Sequence, residues 1–145
     1  MEESINAAIA NTFGPGKWKA KQLPALSLAY IGDCIYDLVI RTVLTTHEGG
    51  TNKSLHKKST GVVKAEAQAV LADAIEDVLD EEEKAIYHHG RNAKNSSSAK
   101  NASIVAYRKA TGLEALVGYL YLEGRYERVT EIMKIGLERT GQMVV

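Results

Sequence analysis

Apolar residues recur at helical spacing along most of the chain, and no stretch shows the strict alternation that a β-strand requires. The clearest pattern occupies residues 24–43, where apolar side chains cover most of a helical circumference. These are Leu26, Leu28, Ala29, Ile31, Cys34, Ile35, Leu38 and Val39. Other elements pack around a helix that is apolar on most sides, so this segment is predicted to be the central helix of an all-α fold. Cys34 is predicted to fill space in its core.

The remaining segments extend the helical prediction along the chain. Residues 1–13 indicate a short N-terminal helix or a loose arm, and Gly14-Pro15-Gly16 breaks the chain after it. Thr51 or Ser54 is a candidate N-cap for a helix that begins after the loop near residue 50. Further helices are predicted over residues 59–79, 80–90, 102–108, 113–124 and 125–139. In the second of these, Asp80 is the predicted start and Gly90 the predicted C-cap. A bend at Thr111-Gly112 is predicted to precede the helix over 113–124.

Length and composition place the chain among ordinary globular proteins. Its 145 residues favour one domain over residues 1–145, and its apolar fraction is 45%. No apolar run approaches the roughly 18 residues of a membrane span, and the first residues lack the basic and apolar blocks of a secretory signal. The single cysteine excludes a disulfide framework within the chain, so a reduced, cytoplasmic location without a membrane partner is predicted.

The charges are unevenly distributed although the formal net charge is zero. Residues 84–113 contain no acid and six lysines and arginines. Residues 49–65 also contain no acid and include His56 and Lys64, which are candidate nucleic-acid-binding residues. The acids are concentrated in residues 73–83. A polyanion responds to local basic faces because salt screens exposed charges beyond about 10 Å. The pattern fits a nucleic-acid partner, and equally a solvated acidic helix end beside a basic loop.

Residues 91–101 form a polar, basic segment rich in serine and asparagine. The candidate RNA-binding residues in it are Arg91, Asn92, Lys94 and Lys100. Such side chains suit sugar and phosphate oxygens, which favours a binding loop, although segments of this composition also serve as plain linkers.

Three acids stand inside apolar segments, where a carboxylate costs several kcal/mol unless it is paired or bound to metal. Asp37 is predicted to pair with Arg41 on the next helical turn. Asp33 has no such partner in its own segment. Glu114 follows Thr111 at the spacing of a capping box, and this spacing by itself favours a helix cap over a functional role.

Four blocks in order carry a resemblance to a known family. They are YIGDCIYDL at residues 30–38, LHKKSTGVVKAEAQ at 55–68, HGRNAKN at 89–95 and YRKATGLEALVGYLYL at 107–122. Together they resemble the endonuclease domain of ribonuclease III, and more narrowly the Mini-III type, which lacks an appended double-stranded-RNA-binding domain. The resemblance covers nearly the whole chain and implies the all-α helical fold of that domain.

The resemblance implies that Asp33 and Glu114 are the catalytic residues and bind Mg²⁺, with Mn²⁺ as a substitute, to activate water for phosphodiester hydrolysis. Gly32 and Gly118 would let the backbones of the two helices approach. In the larger ribonuclease III enzymes, the cluster of catalytic carboxylates includes acids at three further positions. In this chain they are Leu26, Ala29 and Thr111.

The resemblance also implies a homodimer, in which Tyr30 inserts into the partner subunit, whereas a tyrosine on an apolar helix is more often a simple core residue. The substrate would be double-stranded RNA, read mainly by shape, 2′-hydroxyls and phosphates, and the role would be maturation of 23S ribosomal RNA, with an accessory ribosomal protein. Two alternatives stay open. One is a non-cleaving RNA-binding module of the same fold, and the other is a helical interaction protein that uses residues 73–83.

The loop hypothesis makes a testable prediction. Changing Arg91 and Lys94 to Ala should weaken duplex RNA binding. The slope of the logarithm of the binding constant against the logarithm of the salt concentration should also become shallower, by about one for each phosphate that is no longer neutralised. Binding titrations across salt concentrations would measure both quantities. Lys134→Ala, in the predicted surface helix 125–139, is the control and should change neither. Unaltered binding and slope in the double variant would support the linker interpretation.

Overall fold

The computed structural model describes residues 4–93 and 103–143, and within them the chain folds into seven α-helices without a β-strand. The helices are α1 (Ile5–Phe13), α2 (Ala25–His47), α3 (Asn52–Val63), α4 (Ala65–Ile75), α5 (Glu81–Asn92), α6 (Ile104–Leu122) and α7 (Tyr126–Thr140). Two short 3₁₀ turns, Ala20–Gln22 and Glu76–Val78, precede α2 and follow α4. The all-α prediction is confirmed.

Several helices start where the sequence predicts. Asp80 accepts from the backbone N–H of Glu83 at 2.8 Å while Glu83 accepts from that of Asp80 at 2.9 Å, so α5 opens with a reciprocal capping box. Thr51 caps α3 by accepting from Ser54 N at 3.1 Å. Pro24 directly precedes α2, where its missing N–H costs no helical hydrogen bond.

The predicted helix over residues 59–79 is wrong, because the chain breaks at Lys64. Lys64 has an extended backbone (φ −65°, ψ 156°) and stands between the end of α3 and the start of α4. The break redirects the chain so that α3 packs on α2 while α4 packs on α6 and α7. An apolar pattern that continues through a single extended residue does not reveal such a turn.

The predicted C-cap at Gly90 and the predicted bend at Thr111-Gly112 are also wrong. Helix α5 continues to Asn92, and α6 is continuous through Thr111 and Gly112. Both glycines instead allow close packing of α5 on α6. A Cβ at Gly90 would lie 2.8 Å from the Cα of Gly112, and one at Gly112 would lie 2.7 Å from the carbonyl oxygen of Tyr87.

The most deeply buried element is α6 rather than α2. From Ala110 to Tyr121, every residue of α6 except Glu114 is buried, and α2, α4, α5 and α7 all pack against this helix. Helix α2 keeps one exposed side, on which Tyr30 is 82% and Leu38 52% exposed. Cys34 lies on the same side and is exposed, so its prediction as core filler is wrong. Apolar character alone did not show which side of α2 this chain leaves open.

Helices α2 and α6 cross with their backbones in contact. A Cβ at Gly32 would lie 1.7 Å from the carbonyl oxygen of Glu114, and one at Gly118 would lie 2.0 Å from that of Leu28. The predicted role of Gly32 and Gly118 in close approach is therefore confirmed.

Of the helices in the described ranges, none combines the length and apolar character needed to cross a bilayer.

The crossing predicts a severe effect of Gly32→Ala. The added methyl group collides with backbone that cannot move independently of α6, so we expect a loss of more than about 3 kcal/mol in the free energy of unfolding. Chemical denaturation would measure it. The control is Gly61→Ala in α3, where nothing lies within 4 Å of the added Cβ. That change should stabilise by about 0.5–1 kcal/mol through helix propensity. Equal stability of the two variants would contradict the contact.

Candidate metal and RNA site

The crossing of α2 and α6 brings together the two acids that the sequence selected. Asp33 directly follows Gly32 on α2, and Glu114 lies one turn before Gly118 on α6, so the two acids stand beside the backbone contact. The Asp33 carboxylate acts on Glu114 both through its charge and through a hydrogen bond. Asp33 is on the exposed side of α2, whereas Glu114 is partly buried.

The environment of Glu114 disfavours its ionised form. Burial is the largest cause that raises the pKa of this carboxyl to about 8, and the neighbouring Asp33 adds to the effect through charge and hydrogen bonding. A hydrogen bond from Gln68 works in the opposite direction. A carboxyl with a pKa near neutrality in a partly open position is typical of functional sites.

The capping-box prediction for Glu114 is wrong. Helix α6 begins after Ser103, whose hydroxyl accepts from Ala106 N at 3.0 Å, so Glu114 lies well inside the helix. Thr111 does not cap either, because its hydroxyl donates to the carbonyl oxygen of Tyr107 at 3.0 Å, one turn earlier in the same helix. Backbone capping therefore gives no structural reason for an acid at position 114.

Two buried polar side chains beside Glu114 were missed by the sequence analysis. Gln68 on α4 is 1% exposed and acts to lower the pKa of Glu114, and Tyr36 on α2 is fully buried. The Tyr36 hydroxyl has no hydrogen-bond partner among the described residues, and burial, with the charge of Glu114, raises its pKa. In the sequence, Gln68 could have been recognised as a polar residue between Ala67 and Ala69 on the apolar face of the helix predicted over residues 59–79.

The donor set at the crossing fits a hard divalent cation. Within residues 4–93 and 103–143, no group of three or more His, Cys, Asp or Glu side chains could hold a metal ion, so the acidic donors here are Asp33 and Glu114. Carboxylate oxygens are the protein ligands that Mg²⁺ prefers, and this ion usually keeps several waters. Burial and then the charge of Asp33 raise the pKa of Glu114, and a cation held by these two residues would oppose both effects.

Asp37 has the structural partner that the sequence predicts. Its Oδ2 lies 3.0 Å from Nε of Arg41, one turn later in α2. The predicted ion pair is confirmed.

The other predicted site residues lie on several elements. His56 is exposed on α3, Lys64 is exposed at the break between α3 and α4, and Asn92 is exposed at the end of α5. Arg91 is half-buried, and its guanidinium carbon lies 5.8 Å from the ring centroid of Tyr87. Lys94 and Lys100 lie outside the described residues.

Comparison with protein families matches residues 26–125, which include both crossing helices, to the Ribonuclease III domain. Proteins named Mini-ribonuclease 3 are similar over most of the chain. That of Thermoanaerobacter sp. (strain X514) is 42% identical over 95% of this chain and 97% of its own length. That of Clostridium tetani is 49% identical over 82% of this chain and 80% of its own. The chain therefore belongs to the ribonuclease III family and, within it, to the Mini-ribonuclease 3 group.

A solved structure supports the same fold. The crystal structure of a protein from Fusobacterium nucleatum matches with a TM-score of 0.75 and 30% sequence identity, covering 87% of this chain and all of the other.

The raised pKa of Glu114 predicts how stability changes with pH in metal-free buffer. Folding favours the protonated carboxyl, so its stabilising contribution is fully present below the ordinary value of 4.5 and is lost as pH rises through about 8. Glu114→Gln removes this dependence. We expect the melting temperature of the variant to exceed that of the wild type by about 3 °C or more near pH 8, and to match it near pH 4.5. Parallel melting curves in a chelator at every pH would contradict this.

Proposed function

We propose that this chain hydrolyses double-stranded RNA at a divalent-metal site formed by Asp33 and Glu114. Membership of the ribonuclease III family makes the chain a ribonuclease III-type endoribonuclease, and this family is generally dependent on divalent metals. The observation that supports Asp33 and Glu114 as the metal ligands is their proximity at the Gly32–Gly118 crossing, where Asp33 acts on the carboxyl of Glu114. Mg²⁺ is the proposed ion and Mn²⁺ a substitute, because both suit oxygen donors.

The two acids have different parts in this site. When bound, the ion supplies charge neutralisation at the phosphate and lowers the pKa of a coordinated water. Without metal, Glu114 holds a proton up to about pH 8, and it must release that proton when it binds a cation. Asp33, on the exposed side of α2, presents its carboxylate to the solvent through which a substrate approaches.

The substrate is proposed from the residues that the sequence predicts to bind RNA. His56, Lys64, Arg91 and Asn92, together with Lys94 and Lys100, would contact phosphates and sugars of a duplex. Double-stranded RNA is read mainly through such contacts and through its shape. The proposed biological role is maturation of 23S ribosomal RNA in the cytoplasm, assisted by a ribosomal protein, with residues 1–145 acting as one catalytic domain.

The acidic stretch 73–83 does not favour the interaction-protein alternative, because several of its acids form ion pairs with basic residues of the same chain. Asp73 lies 2.9 Å from Lys109, and Asp77 lies 2.7 Å from Arg139. Glu83 is fully buried and pairs with Arg128 at 2.8 Å. A surface whose charges are already paired offers little to a partner.

A homodimer is proposed from the open side of α2, since ribonuclease III proteins are typically dimeric. This side exposes Tyr30, Leu38 and, at 36%, Leu26. Large apolar side chains on one face of a helix are typical of an interface. The twofold symmetry of such a dimer would place two sites against one duplex.

The metal proposal predicts the effect of neutralising each acid. Glu114→Gln and Asp33→Asn should each lower the cleavage rate of long duplex RNA by about 100-fold or more while folding and duplex binding persist, because the charge that holds the cation is lost. Cleavage rates across an Mg²⁺ titration would measure this. Excess Mg²⁺ or Mn²⁺ should partly restore the rate by mass action.

Glu138→Gln is the matched control, because Glu138 is an exposed acid of α7 whose Oε1 lies 3.9 Å from Nζ of Lys134. It should cleave at the wild-type rate. Near-normal cleavage by Glu114→Gln at low Mg²⁺ would remove Glu114 from the site. Duplex binding by the wild type without metal-dependent cleavage would instead favour the RNA-binding module.

The dimer proposal predicts that Tyr30→Asp yields inactive monomers, because a charge in an apolar interface cannot be solvated there. Sedimentation at micromolar concentration would give the oligomeric state. Val105→Asp places the same charge at a position of α6 that is 62% exposed, and it should leave sedimentation unchanged. A fully active monomer of the wild type would refute the proposal.

A further inference from the structure

A basic segment with an exposed aromatic ring precedes α2 and has no part in the site described above. It spans residues 17–21 and contains Lys17, Trp18, Lys19 and Lys21. Trp18 is 67% exposed, and among the exposed large apolar residues of the described chain it alone has a lysine on both sides. The three lysines are exposed and form no ion pair with the described residues. The sequence over residues 4–32 contains no acid, so the positive charge of this segment is uncompensated locally.

The segment is held in place by the short 3₁₀ turn Ala20–Gln22. The backbone N–H of Lys19 donates to Oε1 of Gln22 at 2.8 Å, and the backbone N–H of Gln22 donates to the carbonyl oxygen of Lys19 at 2.9 Å. Ala20 is 5% exposed, and the turn contacts α6. Trp18 therefore extends into solvent beside an anchored turn, so its exposure is a property of the folded chain.

An exposed tryptophan among lysines suits single-stranded nucleic acid better than a protein partner. Lysines are depleted from protein–protein interfaces, whereas proteins that bind single strands combine positive charge along the backbone with aromatic rings on which bases stack. The bases of a duplex are already stacked on one another and offer no free face to such a ring. A partner that uses both the ring and the charges is therefore an unpaired stretch of nucleic acid.

We propose that Trp18 stacks on an unpaired base of the RNA substrate, while the lysines of segment 17–21 contact its phosphates. This inference rests on the proposed function and restricts its substrate to a duplex that continues into unpaired nucleotides. The chain from Trp18 to Ala25 spans at most about 25 Å, and Asp33 lies about 12 Å further along α2. The unpaired nucleotides thus lie within about 40 Å of the cleaved phosphate.

The first test uses the fluorescence of Trp18, which is the only tryptophan of the chain. The wild type is titrated in a chelator, which prevents metal-dependent cleavage, with RNA duplexes of equal paired length. One duplex is blunt, and two others carry a single-stranded oligoadenylate extension at their 3′ or 5′ ends. We expect at least one extended duplex to quench the fluorescence and the blunt duplex to leave it nearly unchanged. Quenching by none of them, or equal quenching by all, would overturn the proposal.

The second test measures how tightly variants bind the extended and the blunt duplex. The wild type should bind the quenching duplex about 10-fold more tightly than the blunt one, because stacking of one base on an aromatic ring has an effect of this order. Trp18→Leu keeps an apolar side chain but removes the ring, so it should abolish this preference and leave the affinity for the blunt duplex unchanged. Trp18→Phe retains a ring and should keep most of the preference.

Phe13→Leu is the matched control. Phe13 is 84% exposed, and its helix α1 carries no charged residue, so it presents an aromatic ring without the lysines. This variant should keep the full preference for the extended duplex. Because both side chains are exposed, neither leucine variant should lower the melting temperature.

The outcomes separate this inference from the proposed function. An unchanged preference in Trp18→Leu, or an equal loss in Phe13→Leu, would overturn the stacking role even if the wild type cleaves blunt duplex RNA. A change of sedimentation in Trp18→Leu without RNA would assign the ring to a protein interface and would also overturn it. A wild type that prefers the extended duplex through Trp18 but never cleaves in Mg²⁺ would uphold the stacking role and refute the nuclease assignment.

Discussion

The backbone contact between α2 and α6 is the constraint on which the rest of the structure depends. Gly32 and Gly118 leave no room for a Cβ on either side, so the two helices meet at a distance that no other residue permits. Helix α6 is consequently buried along almost its whole central length, with α2, α4, α5 and α7 around it. The same contact decides that the side chains next to the glycines, Asp33 and Glu114, share one small volume.

Two partly or fully buried glutamates in this fold are accommodated in opposite ways. For Glu83, burial acts to raise the pKa, but the hydrogen bond from Arg128, the backbone of Asp80 and the nearby arginine charges lower it overall. Arg128 reaches it through two bonds of 2.8 Å and ties α7 to α5. For Glu114, burial and then the like-charged Asp33 raise the pKa to about 8, and no arginine or lysine among the described residues pairs with it to offset them. Arg128 compensates the buried charge of Glu83, whereas in the proposed site a bound cation would compensate that of Glu114.

The open side of α2 connects the fold to the proposed assembly. Tyr30 and Leu38 belong to the same apolar pattern as the buried side of the helix, yet the packed helices do not cover them. Asp33 and Cys34 lie exposed on the same stretch. An interface there would bury the apolar side chains and bring a second copy close to the proposed metal site, so that the site and the assembly depend on one helix.

The sequence by itself determined the helical class, most helix starts and the Asp37–Arg41 pair. These follow from local rules, since apolar spacing, capping residues and side-chain spacing along a helix are all read from neighbouring positions. The family resemblance, rather than spacing, paired Asp33 with Glu114, selected Glu114 over its capping-box interpretation, and indicated the close approach at Gly32 and Gly118. Only the tertiary structure decided the break at Lys64, the exposure of Cys34, the continuity of α6 through Thr111, and the burial of Gln68. Each depends on which face of a helix meets another helix distant in sequence, and an apolar pattern gives the extent of a buried surface but not its partner.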